Sequence, residues 1–230
     1  MNDTQKQEFL KQSKAHFAAD MLRKGFYAIE YAEQFKGCSV GCHLHYIKPE
    51  LGDQAISNMA NKHAIVAEHY GYPEWLARLQ DQIFEGLPNG ESAKWHVQLA
   101  ETLAKLPPRY NWQLALHRVH VAILRISYKT AGSMQAMVKQ VLDLHERAAT
   151  GERVSDELWS AARSTARNTA WNVAFSAAES AARSAAWSAA WNAPDSASES
   201  AAWSAANSVP ESAAYQKIRD GVLEALTLKD

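Results

Sequence analysis

The chain has 230 residues, enough to bury the core of one large domain or of two small ones. Its 24 Lys and Arg residues are balanced by 25 Asp and Glu residues, so its charge gives no reason to expect nucleic acid or an anionic membrane as a partner. Because it lacks both a run of about 18 apolar residues and an apolar signal core in residues 1–8, we expect neither a membrane span nor secretion, but a cytoplasmic protein.

The first residues predict two helices in succession. Asp3 or Thr4 can cap a helix that extends to about Arg23, and Gly25 stands where its C-cap would fall. A shorter helical stretch is expected over residues 27–35.

The segment 37–45 differs from its neighbours in composition. It reads Gly-Cys-Ser-Val-Gly-Cys-His-Leu-His, and its two glycines, followed by Lys48-Pro49, predict an ordered loop. Cys38 and Cys42 are close enough in sequence to permit a disulfide, although a reduced pair better suits a chain without a signal peptide.

Two further helices are expected between residues 53 and 86. The first covers 53–70 and ends at Gly71. The second has Pro73 in its first turn and carries apolar side chains at three- and four-residue steps: Trp75, Leu76, Leu79, Ile83 and Phe84.

Three more helices follow. A helix containing Trp95 is ended by Pro107-Pro108 and forms a hairpin with the helix before it. The segment 111–129 is apolar on more than one face and predicts a central helix. Another helix covers 134–151, and no segment has the alternation of a strand.

The last quarter of the chain is a four-residue repeat. From Ser160 to Ser212, every fourth residue is Ser or Asn, the next two are mostly Ala, and the large side chains occupy the remaining place. Ala favours helix over strand, so the repeat predicts helices. Pro194 and Pro210 mark helix starts, which gives helices at about 155–192, 194–207 and 209–226.

These patterns together predict an all-α fold, a compact bundle of many helices that ends in the Ala-rich tetrapeptide-repeat helices. We expect a helical domain over 1–152 and repeat helices over 153–230 that pack on it as one structural unit. Ala faces in the repeat could also support a homo-oligomer.

A metal site is one interpretation of the Cys/His segment. Cys38, Cys42, His43 and His45 offer four ligands that zinc accepts. The spacing lacks the two separated ligand pairs of a zinc finger, so the alternative is that the cysteines are small buried residues.

An anion site is a second interpretation, based on a His and Arg face of the central helix. Arg can hold a phosphate with two hydrogen bonds, and His can add another that depends on its proton. The residues that would form this ligand site are Arg109, Trp112, His117, Arg118, His120 and Arg125. The alternative is that the histidines are partly buried and bonded to neighbouring carbonyls.

Two segments carry a resemblance to a known family. The Gly-Cys-Ser-Val-Gly-Cys motif at 37–42 and the helix that runs from Tyr72 to Pro88 resemble a family of uncharacterised bacterial and phage proteins. Its members share a Gly-Cys-x-Val-Gly-Cys loop, a PxxLARLxDxIFEGLP-like helix and an Ala-rich tail. The tail is also similar to Ala-rich helical toxin-immunity proteins. The resemblance implies a bacterial or phage setting and a role in conflict between the two, with no activity to carry over.

No catalytic motif stands in the sequence: a nucleophile elbow, a phosphate-binding loop, a zincin helix and a dinucleotide fingerprint are all lacking, so no catalytic residue is predicted. We therefore expect a non-enzymatic helical binding protein, an accessory factor of defence, counter-defence or immunity. It would capture a small anionic, nucleotide-like ligand or a partner protein. The alternatives are a metal-dependent hydrolase that uses the Cys/His segment and a self-associating scaffold.

Overall fold

Helices account for most of the residues that the computed structural model describes, which are 1–31, 34–131, 135–162, 164 and 212–228. The predicted all-α fold class is confirmed. The chain divides into an N-terminal unit, Met1–Trp112, and a C-terminal unit, Gln113–Asp230, whereas the sequence analysis placed its boundary at residue 152. No helix of the described residues combines the length and the hydropathy of a bilayer-spanning segment.

The described residues of the N-terminal unit form six helices and one short hairpin. In chain order they are α1 (Asp3–Ala18), β1 (Ile29–Tyr31), β2 (Gln34–Lys36), α2 (Ser39–Ile47), α3 (Asp53–Asn58), α4 (Lys62–Tyr70), α5 (Glu74–Gly86) and α6 (Asn89–Ala104). Helix α1 packs along α6 and also contacts α4 and α2, while α5 packs on α4, α6 and α2. Helix α2 therefore contacts α1, α3, α4 and α5, so side chains that are far apart in sequence can meet around it.

Helix α1 begins at Asp3, with Asn2 as its N-cap where Asp3 or Thr4 was predicted, and it ends earlier than expected. Asn2 and Gln5 form a capping box, with two backbone-to-side-chain hydrogen bonds of 2.9 Å. The helix ends at Ala18, and Asp20 adopts a left-handed conformation with φ 52°. The predicted extension to Arg23 is wrong because Arg23 N–H donates to Gly37 O at 2.7 Å, in a bridge to a segment far along the chain.

The predicted helix at 27–35 is wrong, because the region contains an antiparallel hairpin. Ile29 pairs with Lys36, and Glu30 pairs with Phe35. Residues such as Ile29 and Phe35 favour strands, but strands of three residues are too short to give an alternating pattern.

The predicted loop at 37–45 is also wrong, because helix α2 begins at Ser39. Cys38 is its N-cap, with extended backbone and with Sγ accepting a hydrogen bond from Gly41 N–H at 3.4 Å. A methyl group on Gly41 would overlap the backbone carbonyl oxygen of Tyr27. The glycine therefore allows two backbone segments to approach closely within a helix, and it does not form a loop.

The helices from residue 53 to 104 follow the prediction with two local differences. The expected helix at 53–70 is divided into α3 and α4, because Met59 is extended with ψ 124°. Gly71 ends α4 with a φ of 71°, as predicted. Pro73 stands just before α5, as its N-cap, and α5 and α6 form the expected helical hairpin. Helix α6 ends at Ala104, before Pro107-Pro108.

The core of the N-terminal unit is aromatic and aliphatic. Its largest fully buried side chains are Trp95, Tyr70, Phe9, Phe84, Leu44, Ile56, Leu76, Ile83, Leu87, Leu99 and Leu103. Burying each of the aliphatic and phenylalanine side chains stabilises the fold by roughly 1.5–3 kcal/mol. Trp95 also donates a hydrogen bond from Nε1 to Gln80 O at 2.9 Å, which ties α6 to α5.

The C-terminal unit contains α7 (Trp112–Thr130, of which only Trp112 belongs to the other unit), α8 (Gln135–Ala149), helical residues at 156–162, and α9 (Ser212–Thr227). Helices α7 and α8 share a core that includes Leu124, Val138 and Val141. Gly221 of α9 lies against Ala122 of α7. The predicted helix at 209–226 is confirmed over Ser212–Thr227, but the predicted helix at 194–207 and most of the one at 155–192 lie outside the described residues.

Candidate metal centre

Three buried histidines from three helices meet inside the N-terminal unit. They are His16 of α1, His43 of α2 and His96 of α6, here called the histidine triad. One ring nitrogen of each lies within 4.8 Å of one ring nitrogen of the others. Their exposed fractions are 4%, 0% and 0%. The cluster is therefore part of the interior and is not a surface patch.

Helical periodicity explains why these residues face inward. On α1, Phe9, Ser13 and His16 follow one another at spacings of four and three residues, so they lie on one face of the helix. On α2, Ser39 and His43 are four residues apart and share a face in the same way. Because α1 packs on both α2 and α6, these faces meet.

The inner nitrogens of the triad face one another. His16 Nδ1 and His96 Nε2 are 3.3 Å apart, and His43 Nε2 lies 3.4 Å from Ser13 Oγ. The rings of His43 and His96 have centroids 4.9 Å apart, and those of His16 and His43 are 5.0 Å apart. Three imidazole rings and one hydroxyl group thus meet at one place in the interior.

Hydroxyl groups hold the outer nitrogens of two of the rings. His43 Nδ1 lies 3.0 Å from Tyr70 Oη, and His96 Nδ1 lies 2.7 Å from Ser39 Oγ. Phe9 stacks on the His43 ring at 4.7 Å. These contacts fix the ring orientations that direct both Nε2 atoms inward.

A further chain of hydrogen bonds supports Ser39. Gln80 Nε2 donates to Ser39 Oγ at 2.6 Å, and Tyr72 Oη donates to Gln80 Oε1 at 3.0 Å. Gln80 and Ser39 are both fully buried. The orientation of His96 therefore depends on side chains from α2 and α5 and from the segment between α4 and α5.

Burial keeps the triad neutral. Removal from water lowers the pKa of His16 to about 4, with a smaller contribution from His45. Burial also lowers the pKa of His43 and of His96 well below the ordinary value. Neutral imidazole has a free lone pair on one nitrogen, which is the form that binds metal ions.

The four ligands predicted from the Cys/His segment do not come together. His43 joins the triad, while Cys38 lies with Asp81 and Glu85 in a second group. Cys42 donates from Sγ to Gly37 O at 3.4 Å, and the His45 ring stacks on Phe35 at 3.9 Å. Cys42 and His43 are adjacent in α2, so their side chains point in directions about 100° apart and do not face one ion. Both cysteines are buried and free, as expected for a reduced pair.

The histidines of the predicted anion site turn into the C-terminal unit. His117 Nδ1 lies 3.1 Å from His145 Nδ1, and its ring stacks on Trp159 at 5.7 Å. His120 is 3% exposed, with its ring 4.4 Å from that of His145. Burial, followed by neighbouring histidines, lowers the pKa of His120 to about 3 and of His145 to about 2. His120 and His145 are thus neutral near pH 7.

The other predicted anion ligands have different surroundings. Arg125 forms an ion pair with Glu146 at 2.8 Å, and Arg118 donates to Leu228 O at 2.9 Å. Trp112 packs on Tyr110, and Arg109 is exposed in the turn before α7. Arg109 and Trp112 belong to the N-terminal unit, whereas the other four residues of the predicted anion site belong to the C-terminal unit.

Comparison of this chain with protein-family models, with curated proteins and with solved structures finds no match. The resemblance to bacterial and phage proteins therefore stays a prediction.

Proposed function

We propose that the N-terminal unit binds a first-row divalent transition-metal ion, zinc in the first instance, through His16, His43 and His96. The observation that carries the proposal is the convergence of three neutral ring nitrogens, from three different helices, within 4.8 Å of one another. Histidine is the commonest protein ligand of these ions, and three histidines form a recurrent zinc set.

The spacing supports tetrahedral coordination. With zinc–nitrogen bonds of about 2.0–2.1 Å, two ligands of a tetrahedron are about 3.3–3.4 Å apart. His16 Nδ1 and His96 Nε2 are separated by 3.3 Å. Ser13 Oγ, 3.4 Å from His43 Nε2, adds a further polar group beside the rings. The other nitrogen pairs, which lie within 4.8 Å, would close to a similar spacing around an ion.

The outer hydrogen bonds support the same function. With a metal ion on Nε2, His43 donates from Nδ1 to Tyr70 Oη, and His96 donates from Nδ1 to Ser39 Oγ. Partners of this kind orient a metal-bound histidine and increase its basicity. Their loss typically reduces metal affinity by about 10- to 100-fold.

The complete burial of the triad favours a structural ion over a catalytic one. A hydrolase needs a coordination position that substrate or water can reach, whereas these rings are 0–4% exposed. We therefore place the ion within the folding of the unit, where binding stabilises the native state. The expected roles in defence, in capture of an anionic ligand or in self-association stay predictions.

Metal analysis of the full chain tests the proposal. The protein is unfolded with chelator, refolded with or without zinc, and freed of excess ion before elemental analysis, since a buried site fills during folding. We expect the His43→Gln and His96→Gln variants to bind about one zinc ion per chain fewer than the wild type. The matched control is His145→Gln, which replaces a buried histidine outside the triad and should leave the zinc content unchanged.

Two results would contradict the proposal. One is a wild-type protein that refolds to its full helix content yet gains no thermal stability from zinc. The other is equal zinc loss in His96→Gln and His145→Gln. The rival explanation, a metal-free hydrogen-bonded core, predicts both of these results.

A further inference from the structure

A second group of metal-binding side chains lies beside the triad, in the same unit. It consists of Cys38, Asp81 and Glu85, here called the thiol–carboxylate cluster. Cys38 is the N-cap of α2, and the two carboxylates are four residues apart on α5, so they share one face of that helix. Cys38 Sγ and one oxygen of each carboxylate lie within 4.8 Å of one another.

The two carboxylate oxygens of Asp81 differ in their hydrogen bonds. Its Oδ2 accepts a hydrogen bond from Tyr27 Oη at 2.9 Å and lies 3.2 Å from His63 Nε2. Its Oδ1 is buried and has no hydrogen-bond partner of ordinary length and angle among the described residues, and Asp81 is only 3% exposed. Burial raises the pKa of the nearby Cys38 thiol, and the charge of Asp81 and a hydrogen bond between the two groups raise it further. A buried carboxylate oxygen without a protein partner is costly, and a bound cation would satisfy it.

We propose that the thiol–carboxylate cluster binds a borderline or soft divalent ion, such as zinc, cobalt or cadmium, through Cys38 Sγ, Asp81 Oδ1 and a Glu85 oxygen. Thiolate and carboxylate are established zinc ligands, and thiolate selects zinc-like ions over magnesium and calcium. Binding forms the sulfur–metal bond, and the thiol proton leaves to solvent. The step involves no change of oxidation state.

The residues around the cluster suit a bound cation. His63 and Tyr27 hold Asp81 through Oδ2 and so leave Oδ1 directed elsewhere. Three anionic ligands around a divalent ion leave one negative charge. Lys62, whose Nζ lies 3.6 Å from the centroid of the Tyr27 ring, provides a nearby positive charge.

Exposure distinguishes this cluster from the triad. Glu85 is only partly buried, and its Oε2 accepts a hydrogen bond from the backbone N–H of Gly25 at 2.8 Å. No heavy atom lies within 4 Å of the position that a Cβ on Gly25 would take. Glu85 thus gives the thiol–carboxylate cluster a partly exposed edge, from which we expect an ion to enter, whereas all three rings of the triad are buried. The site adds to the proposed zinc function and does not depend on it, because the two share no ligand.

Cobalt titration of the folded full chain tests this inference, because a thiolate–cobalt bond gives a near-ultraviolet charge-transfer band and a histidine–cobalt bond does not. We expect the band in the wild type and its loss in Cys38→Ser. Cys42→Ser is the matched control, since Cys42 is an equally buried cysteine outside the cluster, and it should keep the band. His96→Gln should also keep it, so failure of the triad and failure of this site give different results.

Glu85→Gln provides a variant with little risk to folding, because its side chain is partly exposed. We expect it to keep the helix content and to weaken cobalt affinity about 10-fold or more. Absence of the band in the wild type at saturating cobalt, its persistence in Cys38→Ser, or unchanged affinity in Glu85→Gln would each overturn the inference.

Discussion

Each of the two units contains a buried histidine cluster, and the clusters differ in what surrounds the rings. In the N-terminal unit, Tyr70 and Ser39 bind the outer nitrogens of His43 and His96, and the inner nitrogens converge. In the C-terminal unit, His117 and His145 contact each other directly and pack on Trp159, and the described residues there form no metal-type group.

The comparison indicates that the number of histidines does not define a site. What differs is the set of groups that hold the outer ring nitrogens, because these groups decide where the lone pairs of the inner nitrogens point. Removing the groups that hold the triad should therefore reduce metal affinity as well as stability. Disturbing the C-terminal cluster should cost stability alone.

The largest expected effect comes from Trp95→Ala. The substitution removes a fully buried indole and its hydrogen bond to the backbone oxygen of Gln80. The side chain of Gln80 in turn donates to Ser39, which holds His96. We expect the free energy of unfolding to fall by roughly 3–5 kcal/mol and zinc affinity to fall with it. Leu124→Ala, in the core of the C-terminal unit, is the control and should cost roughly 2–5 kcal/mol without changing zinc content. Urea denaturation measures the stability of both variants, and elemental analysis measures their zinc content. Equal zinc loss in Trp95→Ala and Leu124→Ala would contradict the difference between the two units.

The next largest effect is the response of the C-terminal cluster to acid. An unfolded histidine takes up a proton near pH 6.5, whereas folded His120 and His145 stay neutral until their pKa values of about 3 and about 2. The unfolded state therefore binds more protons, and stability falls as the pH falls below 6.5. We expect a loss of about 2 kcal/mol per histidine between pH 6.5 and pH 5.

Urea denaturation at a series of pH values measures this loss. The double variant His120→Asn with His145→Asn is the reference, because its unfolding should depend less on pH over the same interval. A wild type and a double variant with equal slopes would show that these rings are protonated in the folded state.

A smaller effect is expected from added methyl groups on helical glycines. Gly41→Ala places a methyl group on the Tyr27 backbone carbonyl, which cannot move without disturbing the chain before the hairpin, and should cost roughly 1–3 kcal/mol. Gly221→Ala of the C-terminal unit would bring its methyl group to 3.3 Å from Ala122 Cβ and 4.0 Å from Ile126 Cδ1, both on side chains, and should cost less. Gly90→Ala, which has open space, is the control and should stabilise the protein by roughly 0.5–1 kcal/mol. Thermal unfolding ranks the three, and a neutral Gly41→Ala would contradict the close approach.

The smallest effect is expected from Arg125→Ala. The ion pair with Glu146 is exposed on both sides, so its removal should change the free energy of unfolding by roughly 0.2–1 kcal/mol. We expect inorganic phosphate to stabilise neither the wild type nor the variant in a thermal-shift assay. Stabilisation of the wild type alone would instead support the anion site predicted from the sequence.

The fold was predictable where local signals determine it. Pro73, Gly71 and the apolar spacing of α5 define that helix from the sequence, and the start of α1 was predicted to within one or two residues, although its cap is Asn2. The hairpin and α2 were not predictable in this way. They depend on backbone contacts between residues far apart, such as Met21 with Gly37, which no periodicity reveals.

The candidate site was predictable only in part. His43 stood out because two cysteines precede it, but its partners His16 and His96 are far away in sequence and isolated among ordinary helical residues. Their positions on the apolar faces of α1 and α6 were a usable signal of burial. Which helices would meet is a property of the packed unit, and a single sequence does not disclose it.

Adjacent residues of two helices serve different clusters. Ser39 and Gln80 support the triad, while their neighbours Cys38 and Asp81 belong to the thiol–carboxylate cluster. Inserting or deleting one residue early in α5 would rotate everything beyond it by about 100° and remove both groups from their places at once. Length changes in this helix are thus far less tolerable than in the connection after α2, and evolution or engineering can vary the two clusters only by substitution.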